Sequence, residues 1–259
     1  MKVQLTILAA LACAASARSQ HMDVLIARES SAIQRLVTGD TVTNGVGARV
    51  FGVDFGEEPG FPHSAGDPGY NAIANPIGGA ALPGGTALGF NFKAMTIGSS
   101  TSNLMYWNGQ GSTVQFAPVS AGYSFTATRF PPGAFATASV DGGSSDVAGF
   151  TIATTDSSGL FHRHLEFDLN LTGGDPAPGI YLVAQEFTMA GMQSSDPVYL
   201  VFNLGMDETI HDNAVEWVQL NLAPIPEPGG LLAAGALAIA AGAFRRMRRR
   251  EFPAADGGC

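Results

Sequence analysis

Cysteine is almost absent: the chain has only Cys13 and Cys259, one in each terminal segment. With none between them, no disulfide framework braces the middle of the chain, and its stability has to come from a packed core or a bound metal. Positive charge is also scarce before the C-terminus. Residues 18–224 carry 19 acidic and 7 basic side chains, net −12 with histidine neutral, whereas the whole chain reads −9 because arginines cluster near its end. Such a surface repels phosphate backbones, which excludes nucleic acid as a partner and suits solvation or divalent cations. A Gly-x-Ser-x-Gly elbow and a Walker-type loop are missing, and Gly45-x-Gly47 lacks the third glycine of a dinucleotide site. Nothing pairs Glu166, Asp168 or Glu186 into a defined acid/base couple, so the expected protein is not an enzyme and a hydrolase ranks third, behind two binding roles.

What is present points to β structure. Apolar residues make up 46% of the chain, enough for a core, and they fall in short runs broken by glycine, proline, asparagine, aspartate and serine. Expected strands are MDVLIARE, AIQRLVT, ARVFGVDF, TALGFNFKAM, STVQFAPVS, GYSFTATR, FATASV, VAGFTIAT, LFHRHLEFDLNL, GIYLVAQEFTM and PVYLVFNL. This pattern predicts a mainly β, antiparallel β-sandwich of jelly-roll-like form over residues 18–223. The Gly/Pro-rich section from Glu57 to Gly85 is expected to be an extended surface loop. One amphipathic helix is expected near the C-terminal end, in DETIHDNAVEWVQL, with Ile210, Ala214, Trp217 and Val218 on its apolar face and His211 exposed.

Both ends read as export signals. Lys2, the apolar run from Val3 to Ala15 and the small residues Ala15 to Ala17 predict a signal peptide over residues 1–17. Near the other end, residues 229–244 are uncharged and apolar, and are followed by Arg245, Arg246, Arg248, Arg249 and Arg250. As a helix this run is about 24 Å long, a short span for a hydrocarbon core of roughly 30 Å. The arginines hold their side of the span in the cytoplasm, so the preceding domain faces outward.

Pro226-Glu227-Pro228, the apolar helix and the basic cluster together resemble the PEP-CTERM sorting signal, here over residues 224–250. The resemblance implies recognition by an exosortase in the inner membrane, cleavage near the motif, and transfer to the cell surface or extracellular polymer of a Gram-negative bacterium. One departure is the continuation EFPAADGGC. The family pattern ends at the arginines, whereas residues 251–259 here form a cytoplasmic tail, which leaves removal of the signal open.

Chemistry concentrates in LFHRHLEFDLNL. On a single strand, His162, His164, Glu166, Asp168 and Asn170 share one face and Phe161, Leu165, Phe167, Leu169 and Leu171 the other. Two histidines two residues apart stand about 6.5 Å apart along the strand, near enough for their rings to converge on one ion. His21 and Asp23 repeat the spacing just after the expected cleavage site. Together these four residues form a donor set suited to Zn2+ or a similar divalent metal, unless they are solvated residues of an exposed sheet face. HMDV, EEPGFP, DPGY, LGFNF, YWNG, HRHLEFDL, GIYLVAQ and SDPVYLVFN, with the terminal helix, also resemble PEP-CTERM surface proteins linked to zinc limitation. The His-x-His and GIY strands are similar to actinobacterial surface-anchored domains encoded near metal transporters. Both resemblances imply a metal role. His63, near Glu57, Glu58 and Asp67, is an additional ligand or a solvated loop residue. The alternative is a carbohydrate- or matrix-binding module, contacting extracellular polysaccharide through Tyr106 and Trp107.

Overall fold

A computed structural model describes residues 22–31 and 34–223. The described residues are mainly β with one helix. The expected signal peptide 1–17, His21, Pro226, Glu227, Pro228, the apolar run 229–244, the arginine cluster and residues 251–259 lie outside the described residues. Among the described residues, no helix is long and apolar enough to cross a membrane.

The strands form four sheets, numbered here in chain order. One sheet runs β15 (Phe161–Arg163), β6 (Tyr70–Ala72), β1 (Val24–Arg28), β2 (Leu36–Asp40) and β3 (Gly45–Val46). The largest runs β11 (Ala117–Pro118), β10 (Met105–Trp107), β17 (Gly179–Met189), β18 (Val198–Leu204) and β4 (Val50–Asp54), and β7 (Ala87–Lys93) joins β17 to β14 (Val147–Thr154). A third runs β13 (Ala136–Val140), β12 (Tyr123–Arg129), β16 (Glu166–Leu171) and β5 (Ser64–Ala65). β8 (Met95–Ile97) and β9 (Ser100–Ser102) form a separate hairpin. Pairing is antiparallel except between β1 and β6 and between β4 and β18.

The two central strands explain the layering. β17 and β18 are apolar on both faces because they are covered on both sides, so they read as continuous runs instead of alternating ones. Tyr181, Val183, Phe187, Leu200 and Phe202 face one core, whereas Ile180, Leu182, Ala184, Tyr199 and Val201 face a second. In the first core, Phe202 of β18 meets Phe125 of β12 at 4.9 Å and Phe167 of β16 at 5.4 Å between ring centroids. These contacts tie the third sheet to the largest. α1 (Glu208–Asn221) closes the second core with Ala214 and Val218.

Three expectations change. LFHRHLEFDLNL is not one strand: it divides between β15 and β16, which belong to different sheets, although side-chain burial still alternates through the break. The segment from Glu57 to Gly85 is more than a surface loop, because it contributes β5 and β6, and Tyr70 is fully buried with its hydroxyl donating to Gln185 Oε1 at 2.8 Å. The buried face of α1 is His211, Ala214 and Val218, while Trp217 is half-buried against Phe116 at 5.6 Å.

Phe202→Ala removes the ring that joins the two sheets, and the expected loss is about 3–5 kcal/mol in denaturant unfolding of the full chain. A loss below about 1 kcal/mol would show that the sheets are held together elsewhere.

Candidate metal centre

β5 and β16 pair in one sheet, while β6 and β15 pair in another. Both chain segments therefore change sheets at the same corner, one through Gly66–Gly69 and the other through His164 and Leu165. Leu165 is buried and pins the crossing, while His164 stays exposed.

Register then places the donors. Val24 pairs with Tyr70 in parallel, and Tyr70 pairs with Arg163 on its other side. Extending both ladders by one residue puts Asp23, Gly69 and His164 in a row across three strands. Two residues along the ladder, Asn71 lies opposite His162. Arg163, between the histidines, turns the other way and donates to the carbonyls of Phe130 and Pro132.

His162 Nε2 lies 2.9 Å from His164 Nε2 and 3.4 Å from Asp23 Oδ2. Two donors of a tetrahedral zinc ion stand about 3.3 Å apart when each bond is about 2.0–2.1 Å. Both of those separations are close to that spacing, and the donor atoms of Asp23, His162 and His164 all lie within 4.8 Å of one another. His164 Nδ1 is 2.8 Å from Gly66 O and 3.2 Å from Asp67 Oδ1. The carbonyl accepts only, so Nδ1 carries the ring hydrogen and the Nε2 lone pair of a neutral ring points toward His162. A backbone carbonyl on the remote nitrogen is the usual support of a metal-ligating histidine.

Asp23 is held from behind. The Gly69 N–H donates to Oδ1 at 2.9 Å and Asn71 Nδ2 donates to Oδ2 at 2.5 Å. Gly69 also makes space: a Cβ there would meet Asp23 Oδ1 at 2.7 Å and His164 Nε2 and Cε1 at 2.8 Å. Gly66, Gly69 and Asn71 escaped the sequence reading, which placed Asp67 only near His63, although the DPGYN tract within the expected loop holds two of the three.

Beside His164 opens a cleft of about 490 Å³ lined by Glu57, Glu58, Gly66, Asp67 and Glu166, among others. Partial burial, with Asp168 and Glu58 nearby, raises the Glu166 carboxyl above its usual range. An accumulation of carboxyl groups of this kind favours a cation.

Of the expected donors, Asp23, His162 and His164 come together, and His21 lies outside the described residues. His63 contributes its backbone oxygen, which accepts from the Leu169 N–H at 2.9 Å. The expected exposure of His211 is wrong, because its side chain is fully buried under α1. Of the two aromatic residues expected to form a platform, Trp107 is buried with Nε1 donating to Gln110 O, and Tyr106 is half-buried with its hydroxyl donating to Pro178 O and its ring 5.0 Å from that of Tyr181.

Gly69→Ala is expected to push Asp23 and His164 apart and weaken zinc binding about tenfold or more, with the far-ultraviolet circular dichroism of the chain unchanged. Unaltered affinity in equilibrium dialysis would show that the donors do not share an ion across Gly69. No family model, curated protein or solved structure matches this chain.

Proposed function

We propose that the protein is an exported, surface-targeted, non-enzymatic protein that binds a divalent metal, zinc in the first instance, through Asp23, His162 and His164. The observation that carries this reading is the convergence of two imidazole nitrogens and a carboxylate oxygen at a corner where two strand pairs change sheets. Imidazole and carboxylate together suit zinc better than the all-oxygen cations. His21, two residues before Asp23 in the sequence, is the fourth donor of the proposal. The acidic cleft beside His164 supplies the attractive approach for the ion. Because the site joins β1 to β15, metal binding would stabilise the fold by about 2.7 kcal/mol at a free concentration a hundred times the dissociation constant.

The architecture is proposed as a jelly-roll-like sandwich, a reading supported by the aromatic contacts between the third sheet and the largest. Pro226-Glu227-Pro228, residues 229–244 and the five arginines support an exosortase-processed sorting signal. On that reading the chain is tethered in the inner membrane before release to the surface or the extracellular matrix of a Gram-negative bacterium. The burial of Trp107 takes away the residue on which polysaccharide binding was to rest.

Full-length chain carrying a non-histidine affinity tag tests the metal. His162→Ala combined with His164→Ala is expected to lower bound zinc by one equivalent per chain in equilibrium dialysis, and unchanged stoichiometry would contradict the site. Sorting is tested by mass spectrometry of the surface-exposed product. It should end near Glu227, and a product that retains Arg245 would show that the segment remains a permanent anchor.

A further inference from the structure

A second group of donors meets at the opposite face of the largest sheet from the aromatic core. Asp54 ends the edge strand β4, and Glu208 and His211 lie in the first turn of α1. Their positions i and i+3 put Glu208 and His211 on one side of the helix. The donor atoms of all three lie within 4.8 Å of one another.

His211 makes this group more than a set of surface acids. Its side chain is completely buried, an unusual place for an imidazole. Nε2 lies 2.8 Å from Val201 O. That oxygen accepts only, so Nε2 carries the hydrogen and Nδ1 of the neutral ring is a lone pair. Nδ1 is buried without a hydrogen-bond partner and faces Asp54 Oδ1 at 3.6 Å. Asp54 Oδ1 already accepts from Asn203 Nδ2 at 2.8 Å, and Asn203 is itself fixed by Met206 at the entrance to the helix, through Nδ2 to O at 3.1 Å and N to Oδ1 at 3.0 Å. With the ring neutral, a buried ring nitrogen and a partly exposed carboxylate oxygen face each other as two acceptors, an arrangement that costs free energy unless a proton or a metal cation lies between them. The carbonyl on the remote ring nitrogen and the amide behind the carboxylate are the outer supports that metal ligands receive.

We propose that Asp54, Glu208 and His211 form a second divalent-cation site, of the zinc or manganese class, which clamps α1 to β4. One imidazole with two carboxylates matches that class. The site shares no residue with the Asp23 site and does not depend on it.

The test uses full-length His162→Ala/His164→Ala chain in detergent, stripped of metal, with a non-histidine tag, and Zn2+ alone as the probe. One equivalent of zinc should still bind and raise the melting temperature. Adding Glu208→Gln, at an exposed position, or Asp54→Asn should each weaken that binding about tenfold or more. In 15N spectra of histidine-labelled chain, His211 Nδ1 should carry no hydrogen and should shift when zinc is added. The proposal is overturned if the double-histidine variant binds no zinc, or if neither Glu208→Gln nor Asp54→Asn changes the affinity. It is equally overturned if Nδ1 carries a hydrogen in excess zinc, which would make the pair an imidazolium and a carboxylate. The first outcome leaves the Asp23 site standing, and loss of zinc from the Asp23 site alone leaves this one standing.

Discussion

The parallel pairing of β1 with β6 is the constraint on which the site depends. It places Asp23 beside Gly69, and the antiparallel pairing of β6 with β15 places His164 on the other side of the same glycine. Asp23 and His164 can approach each other only because the residue between them has no side chain. A slip of one residue in either ladder would turn the donors to the opposite face. The same backbone that removes the obstruction also supplies the Gly69 N–H that orients Asp23. Site geometry and sheet register are therefore one property of the fold.

The scaffold around this corner has to be stiff, and it has no disulfide to make it so. β17 and β18 supply the stiffness by burying both faces, one against aromatic rings of the third sheet and the other under α1. The chain leaves the corner at buried Leu165, and β16 then carries Phe167 into the ring cluster. The corner is thus anchored directly in the core, and the exposed histidines are mounted on a segment whose other face is packed. An ion at Asp23 would link the N-terminal strand β1 to β15, and an ion at Asp54 would link α1 to β4. In a chain whose cysteines lie at positions 13 and 259, two metal clamps would take the place that disulfides fill in many small domains.

How legible each part was in the sequence follows from length and from context. GIYLVAQEFTM and VAGFTIAT match β17 and β14 because an eight- to eleven-residue run carries its own signal. β5, β6 and β10 have two or three residues each, too few to show a period, and they depend on partners far along the chain. Tyr70 could not be recognised as core inside a glycine- and proline-rich tract, since its hydroxyl is satisfied by the remote Gln185. The alternation of His162 and His164 was readable, but the break after them was not, because it is imposed by two different sheets. His211 was misplaced because a polar residue beside an apolar stripe reads as solvent-facing until the carbonyl of Val201 is seen opposite its ring. Gly69 was silent for the simplest reason: its role is to lack an atom.

The central claim is that Asp23, His162 and His164 hold one ion across Gly69. An anomalous difference map at the zinc absorption edge, from crystals of zinc-loaded protein, tests it most directly. The account predicts a peak about 2.0–2.2 Å from His162 Nε2, His164 Nε2 and Asp23 Oδ2. No peak at that corner, with the two imidazoles turned apart into solvent, would contradict it.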